Sequence, residues 1–315
     1  MTSYVTGAAG FIGSHLVDRL LAAGHRVVGV DNFVLGKRAN LAHAFKSANF
    51  VFQELDVNDF DAALAFVKQH GAIDTIWHMA ANSDIQAGAR EPEIDLRLTF
   101  LTTFNTIKLA EALKIPQIAF ASSSAIYGDY PGVLREDAGP LFPISTYGAM
   151  KLASEGVLSA ALERFLKRLW VFRFPNVIGS RATHGAIYDF IQKLRRNPAE
   201  LEVLGDGSQE KPYLHVSELV DAMLHLFQKA QQPLNYFNIA PAASSTTVRF
   251  IAESTVRIVS PKAKIRYTGG SKGWVGDVPK FAYSIDKLKS TGWSPKMSSN
   301  DAVELAIREN AECAS

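Results

Sequence analysis

The sequence lacks the features that mark several large classes of protein. Its 315 residues contain a single cysteine, Cys313, which excludes an intramolecular disulfide and a cysteine metal site. It has no run of roughly twenty apolar residues, so we expect no transmembrane helix and no membrane partner. No signal-peptide pattern precedes the first predicted strand at Ser3, and we therefore expect a cytoplasmic protein.

The sequence also lacks an excess of either positive or negative charge. The net charge is +2, from 33 Lys and Arg against 31 Asp and Glu, and no basic stripe stands out. We therefore expect no nucleic-acid partner. The sequence shows no internal repeat, no linker, and no His/Asp/Glu set that suggests a metal. A chain of this length and hydrophobic content is sufficient for one large or two modest domains.

The first half of the chain alternates β-rich runs with longer helical patterns. We expect strands at Ser3–Thr6, His25–Val30, Asn49–Glu54, Thr75–Met79, Gln117–Ala121 and Leu169–Phe174. Helices are expected between them at Ile12–Ala23, Phe60–His70, Asp95–Leu113 and Thr146–Phe165. Strands that alternate with helices predict an α/β fold with a Rossmann-type, doubly wound parallel sheet.

After Phe174 this alternation loosens, which favours a smaller α+β domain interleaved with the first. Further elements are expected at Tyr188–Arg196, Ser217–Lys229, Tyr236–Ile239 and in a final helix from Asn300. We expect a cofactor-binding domain and a substrate-binding domain. The first would comprise residues 1–174 and about 213–239, and the second about 175–212 and 240–315.

A glycine-rich turn, GAAGFIG at 7–13, lies between the first predicted strand and helix. Its glycines permit a tight turn and close approach of a pyrophosphate, which the helix N-terminus then attracts. The second strand ends in Asp31, 18 positions after Gly13, where a carboxylate would meet the adenosine ribose hydroxyls. A carboxylate there repels a 2′-phosphate, so the pattern favours NAD over NADP. Lys37 and Arg38 are interpreted as an exposed basic loop.

Tyr147 and Lys151 stand four positions apart in a predicted helix and so share one face. An unperturbed tyrosine has a pKa near ~10 and is a poor base at neutral pH. A cation beside it, with a positive nicotinamide ring, would lower that pKa. Ser122, Ser123 and Ser124 follow a strand, at the carboxyl edge of the sheet where ligands bind. From the residues alone, any of the three could hold a reacting oxygen or cap the turn.

Four segments together resemble the extended branch of the short-chain dehydrogenase/reductase superfamily, within the NAD-dependent epimerase/dehydratase family. They are TGAAGFIGSH at 6–15, VDN at 30–32, LDV at 55–57 and HMAAN at 78–82. The resemblance implies an enzyme that uses NAD and takes a nucleotide sugar as its substrate. It also implies a homodimer formed through paired helices, one of which contains Tyr147.

The resemblance also implies the role of each site residue. In the catalytic set, Ser123 holds the sugar oxygen, Tyr147 is the base and Lys151 tunes it. The implied cofactor-binding set is Gly7, Gly10, Phe11, Ile12, Gly13, Asp31, Asn32, Asp56, Val57, Ala80, Ala81, Tyr147, Lys151 and Pro175. The implied substrate-binding set is Ser123, Ser124, Tyr147, Asn176, Lys211 and Trp274.

The residues after Ser123 bear on the type of reaction. Dehydratases of the family carry an Asp-Glu pair where this sequence has Ser124 and Ala125, and neither side chain can perform the acid–base steps of an elimination. The serine-rich version resembles UDP-hexose 4-epimerases, which implies transient oxidation of a sugar hydroxyl, at C4, and return of the hydride. A ketoreductase or dehydrogenase on a related sugar is the alternative. A 4,6-dehydratase and a non-catalytic nucleotide-binding protein are less favoured.

Four positions depart from the family pattern, one of them Pro212, which replaces the usual aspartate after position 211. Lys211 stands where an arginine binds nucleotide or phosphate, and a lysine lacks bidentate geometry. Trp274 stands where an arginine binds diphosphate, and it could stack on a base or sugar or pack the smaller domain. Thr99 replaces an asparagine near the cofactor. These changes leave the identity of the sugar and nucleotide open. His184 is assigned no role.

Overall fold

A computed structural model describes residues 1–241, 245–270 and 282–312. The chain divides into two compact units that alternate along the sequence. The first unit comprises Met1–Gly128, Gly139–Arg173 and Met223–Phe237, and the second comprises Asp129–Ala138, Phe174–Ala222 and the chain from Asn238 onward.

The strands, in chain order, are β1 (Thr2–Thr6), β2 (Arg26–Asp31), β3 (Phe50–Glu54), β4 (Thr75–His78), β5 (Gln117–Ala121), β6 (Val133–Leu134), β7 (Arg168–Arg173), β8 (Asn176–Ile178), β9 (Glu200–Val203), β10 (Glu210–Lys211), β11 (Tyr213–His215), β12 (Leu234–Asn238), β13 (Thr246–Thr247), β14 (Lys264–Tyr267) and β15 (Ala282–Tyr283). The α-helices are α1 (Phe11–Ala22), α2 (Phe60–Lys68), α3 (Ile85–Arg90), α4 (Pro92–Asp95), α5 (Thr102–Ala112), α6 (Thr146–Leu162), α7 (Ala186–Arg196), α8 (Val216–Lys229), α9 (Val248–Val259), α10 (Asp286–Lys289) and α11 (Ser299–Glu312). Short 3₁₀-helices lie at Arg38–Leu41, Ala44–Lys46 and Ser124–Tyr127.

The central sheet has seven strands in the order β12-β7-β5-β4-β1-β2-β3, and the pairings from β7 to β3 are parallel. This confirms the predicted Rossmann-type α/β fold. Its strands are apolar because both faces are covered, with Val28, Ile76 and Ile118 wholly buried. The chain order reverses between β1 and β4, and ligands bind at such a switch point in open α/β sheets.

The predicted helix over 95–113 is instead broken into three parts. It consists of α4, a π-helical turn at Leu96–Leu101, and α5. The hydroxyls of Thr102 and Thr103 both donate to the Thr99 carbonyl, at 3.0 and 2.9 Å. Threonine hydroxyls that bond to the preceding turn loosen the helical ladder, which is a physical reason for this widened turn.

Two segments predicted in the cofactor domain lie in the second unit, and strand pairing explains both. Residues 129–138 carry β6, which pairs with β15, and residues 213–222 begin with β11, which pairs with β8. β15 and β8 both belong to the second unit. The assignment of one domain to the cofactor and the other to the substrate stays a prediction.

The second unit has its own core. Helix α7 places Ile187, Phe190, Ile191 and Leu194 at helical spacing on one buried face. This face packs with α9 and α11 over the parallel pair of β9 and β14. Among the described residues, no helix is both long enough and apolar enough to span a bilayer.

Candidate active site

The glycine turn after β1 is closed by backbone contacts that only glycine permits. Gly7 has a φ of +66°, and a Cβ added to it would lie 2.8 Å from the Ala80 nitrogen. A Cβ on Gly13 would lie 2.0 Å from the Gly7 carbonyl oxygen. Helix α1 follows at Phe11, and Gly10 has no side-chain oxygen to cap its first amides. Those amides and the helix dipole form an anion site, which fits a pyrophosphate.

Asp31 ends β2 beside this turn. Its carboxylate accepts hydrogen bonds from the amides of Ala9, at 2.9 Å, and Phe33, at 2.8 Å. Burial raises the pKa of Asp31, while the amides of Phe33, Ala9 and Gly10 act to lower it. A carboxylate offers about four acceptor positions, so three amides leave capacity for a hydroxyl donor. These features fit a dinucleotide, and the contact between Asp31 and ribose stays a prediction.

The ends of β2 and β3 are tied together by predicted cofactor residues. The Asn32 side-chain amide donates to the Asp56 carboxylate at 3.2 Å, and the other Asp56 oxygen accepts from the Asn58 amide at 2.9 Å. Val57, between them, is 9% exposed. The structure therefore brings Asn32, Asp56 and Val57 together at one edge of the sheet.

His78, which ends β4, is a site residue that sequence reasoning missed. It is fully buried, with Nδ1 2.7 Å from the Thr6 hydroxyl and Nε2 3.0 Å from the Thr103 hydroxyl. The Thr6 hydroxyl in turn accepts from the Ala80 amide at 3.2 Å. Burial, with a contribution from the Lys151 charge, lowers the pKa of His78 to about 3. The neutral ring thus supports the backbone that closes the glycine turn. A histidine ending an apolar strand was the available signal.

The three predicted catalytic residues lie together at the carboxyl end of β5. Ser123 caps the following 3₁₀-helix by accepting from the Ala125 amide at 3.1 Å, and its side chain is hydrogen-bonded to Tyr147. The Lys151 ammonium donates to the Ala121 carbonyl at 2.6 Å and lies 5.8 Å from the centroid of the Tyr147 ring. Ser122 donates to Glu155 instead, and Ser123 is the candidate serine that is bonded to this tyrosine.

Helix α6 reaches this position because Gly148 lets it approach closely. Ser145 caps the helix, accepting from the Gly148 amide at 3.1 Å. A Cβ added to Gly148 would lie 2.4 Å from the Ala125 carbonyl oxygen in the 3₁₀-helix. The glycine between Tyr147 and the rest of the helix therefore places the phenol beside Ser123.

Burial dominates the electrostatics of the pair. It lowers the pKa of Lys151 to about 7, while the charges of Glu155 and Asp95 act to raise it. It raises the pKa of Tyr147 to about 12, against the hydrogen bond from Ser123. The sequence predicts a lowered Tyr147 pKa from Lys151 together with a bound, positive nicotinamide ring. The chain's own groups leave it high because desolvation of the phenolate outweighs them.

A buried ion pair beside the candidate site was also not predicted from the sequence. Arg173 donates to both carboxylate oxygens of Glu155, at 3.0 and 2.7 Å, and to the Tyr127 hydroxyl at 3.0 Å. Ser122, one of the three candidate serines, donates to Glu155 at 2.5 Å. The signal was the position of Glu155, four residues after Lys151 on the same helical face.

Three further predicted residues, Pro175, Asn176 and Lys211, belong to the second unit. Asn176 is exposed at the start of β8 and pairs in register with Tyr213, while Lys211 ends β10 two residues earlier. Pro175 is buried just before Asn176. Trp274 lies outside the described residues. The structure places Asn176 and Lys211 in a different unit from the catalytic residues, and their contact with substrate stays a prediction.

No group of three or more His, Cys, Asp or Glu side chains could hold a metal ion within residues 1–241, 245–270 and 282–312. Ser124, the remaining predicted substrate residue, is half-buried as the first residue of the 3₁₀-helix. Ala81, the remaining predicted cofactor residue, is half-buried after β4. The candidate site is therefore built from backbone amides, hydroxyls, a phenol and an ammonium.

The chain is similar to proteins of known activity over most of its length. The sequence profile of the NAD dependent epimerase/dehydratase family matches residues 3–240. A UDP-glucose 4-epimerase from Mycolicibacterium smegmatis is 32% identical over 260 residues, covering 78% of this chain and 79% of that protein. A solved UDP-galactose 4-epimerase has 34% identity and a TM-score of 0.87, with all of both chains covered. A UDP-glucose 4-epimerase of Thermotoga maritima, solved with UDP-glucose, has 28% identity, a TM-score of 0.88 and the same coverage.

Proposed function

The chain belongs to the NAD-dependent epimerase/dehydratase family, and we propose on this basis that it epimerises a nucleotide-diphosphate sugar at C4. It is an NAD-dependent enzyme of the extended short-chain dehydrogenase/reductase type. One observation carries the proposal. Ser123 is hydrogen-bonded to Tyr147 while Lys151 is held on the Ala121 carbonyl, in the same unit as the glycine turn.

Each catalytic residue has one task at the sugar oxygen. Tyr147, as the phenolate, accepts the proton of the C4 hydroxyl and later returns it, since a phenol can act as both base and acid. Ser123 hydrogen-bonds the same oxygen and stabilises the charge that develops on it. Lys151 supplies positive charge beside the phenol. NAD, when bound, supplies the hydride acceptor and donor and a positive ring that offsets the high pKa of Tyr147.

The residues that would hold the pyrophosphate and adenosine of NAD belong to the first unit. The turn at Gly7 and Gly10 and the first amides of α1 would bind the pyrophosphate, and Asp31 the adenosine ribose. Ala80 would line the same cleft, where its backbone already lies against Gly7. Asp31 supports NAD over NADP, because its buried carboxylate would repel the 2′-phosphate of NADP.

We further propose that Asn176, Lys211 and Trp274 recognise the nucleotide-diphosphate part of the substrate. Asn176 is exposed and pairs in register with Tyr213, and Lys211 lies two residues before Tyr213. Lysine offers a point charge for a phosphate rather than a bidentate fork. Dehydration is not supported, because Ser124 and Ala125 cannot provide the acid and base that an elimination requires.

A homodimer is proposed through the helices that follow β4. Leu96, Leu101 and Phe104 are 44%, 37% and 46% exposed on the π-turn and α5, and Phe100 stacks on Phe104 at 6.4 Å. These helices pack beside α6, the helix that carries Tyr147. Large apolar side chains clustered on a helical face favour burial against a second copy of the chain.

The test is epimer interconversion on a panel of UDP-sugars. We expect the wild-type protein to equilibrate a C4 pair of epimers without net change in NADH absorbance. Tyr147→Phe should reduce turnover by about 10²-fold or more, because it removes the proton acceptor. Tyr188→Phe in the second unit is the matched control and should retain turnover. Net NADH consumption would instead indicate a reductase, and near-normal turnover of Tyr147→Phe would reject the mechanism.

A further inference from the structure

A buried ion pair lies beside the catalytic residues without a step of its own in the proposed mechanism. The side chains of Arg173 and Glu155 are only 9% and 11% exposed, and their two parallel hydrogen bonds fix the guanidinium in a bidentate geometry. The desolvation of two charges cancels much of their attraction, so such a pair adds little net stability over apolar packing. Its geometry, by contrast, is specific.

Glu155 and the catalytic lysine are hydrogen-bonded to consecutive residues at the end of β5. Lys151 donates to the Ala121 carbonyl at 2.6 Å, and Glu155, one helical turn later, accepts from the Ser122 hydroxyl at 2.5 Å. Ser123 is the next residue along this strand end. Two hydrogen bonds to adjacent residues fix both the rotation of α6 about its axis and its position relative to the strand. A single hydrogen bond would not fix both.

Arg173 extends the same constraint to the 3₁₀-helix that Ser123 caps. Its guanidinium donates to the Tyr127 hydroxyl at 3.0 Å and lies 5.4 Å from the centroid of that ring. Arg173 itself ends β7, the strand next to β5. Glu155 therefore connects α6, β5, β7 and the 3₁₀-helix at one buried point.

We propose that Glu155, paired with Arg173, is a positioning residue that holds the Lys151 ammonium in register with Ser123 and Tyr147. The proposal rests on the proposed function, because it assumes that these three residues act on a sugar hydroxyl. Glu155 touches no reacting atom and acts through the lysine.

The charges around Lys151 predict how this role can be measured. Glu155 faces it from α6 and Asp95 from α4, Tyr147 lies one turn before it, and neutral His78 lies on β4. Burial lowers the pKa of Lys151 to about 7, and the two carboxylates act to raise it. Loss of the Glu155 charge should therefore lower that pKa further.

The experiment is a titration of Lys151 in protein labelled with carbon-13 at the lysine ε-carbon. The Lys151 resonance is identified by its absence in Lys151→Met. Glu155→Gln should lower the Lys151 pKa by about one unit. Glu111→Gln, which breaks the exposed pair with Arg164, is the matched control and should produce no shift. If Glu155→Gln does not fold, Glu155→Asp should shift the Lys151 pKa in the same direction by less.

A second variant separates position from charge. Arg173→Lys keeps the positive charge but loses the bidentate geometry and the bond to Tyr127, so kcat should fall about tenfold or more with little change in the Lys151 pKa. An unchanged Lys151 pKa in the Glu155 variants, or wild-type kcat in Arg173→Lys, would overturn the proposal. The titration needs no substrate. A shifted Lys151 pKa in a protein without epimerase activity would therefore reject the proposed function and leave the effect of Glu155 on Lys151 standing.

Discussion

Single residues show how far burial outweighs other influences in this protein. Tyr147 and Lys151 are neighbours on one helix, yet desolvation moves both pKa values toward the neutral forms, to about 12 and about 7. Burial likewise favours the neutral form of His78 by lowering its pKa, at the end of β4, where no catalytic residue was predicted. Burial thus favours the neutral forms of these three side chains, and hydroxyls and carbonyls meet their hydrogen-bonding needs.

His78 should make folding stability depend on pH. Its pKa is about 3 in the folded chain and near ~6.5 when unfolded, so the unfolded state binds its proton first as pH falls. The stabilisation is complete above the unfolded pKa and declines below it, by about 2 kcal/mol between about pH 6.5 and pH 5. His78→Gln should flatten that slope in urea unfolding at several pH values, whereas exposed His43→Gln should keep it. Equal slopes in wild type and His78→Gln would contradict this.

At the scale of elements, the position of α6 depends on one close approach. Gly148→Ala would place a Cβ 2.4 Å from the Ala125 carbonyl, which must displace the helix from the 3₁₀-helix. We expect a loss of about 1–3 kcal/mol in the free energy of unfolding and a clear fall in kcat, because Tyr147 moves away from Ser123.

Gly156 offers the matched control on the same helix. An added Cβ there meets no described atom within 4 Å, so Gly156→Ala should stabilise the helix by about 0.5–1 kcal/mol and leave turnover unchanged. Thermal unfolding and initial rates of both variants distinguish the two sites. If the alanine is tolerated equally at both positions, the close packing does not position Tyr147.

At the scale of the whole molecule, the exposed apolar side chains on the helices after β4 predict association. Phe104→Glu would put a charge within the proposed dimer face, and we expect it to convert a dimer into a monomer in sedimentation velocity. Leu305→Glu, which also replaces a large apolar side chain with a charge, at a 38%-exposed position on α11, should leave the dimer intact. A wild-type protein that sediments as a monomer would disprove the dimer.

The sequence by itself determined the parts of this protein that depend on local pattern. Apolar runs between helical patterns were sufficient for the central sheet, whose predicted strands agree with the structure within about two residues of each boundary. The glycine turn was readable because few residues tolerate the φ of +66° at Gly7. Tyr147 and Lys151 could be predicted to lie together because residues four positions apart share one face of a helix.

Only the tertiary structure decided which distant residues meet. It placed Ser123 against Tyr147, surrounded His78 with threonines from two other elements, and joined Glu155 to Arg173. It also assigned residues 129–138 to the second unit through the pairing of β6 with β15. These features arise from contacts between residues far apart in the chain, and no local periodicity encodes such contacts.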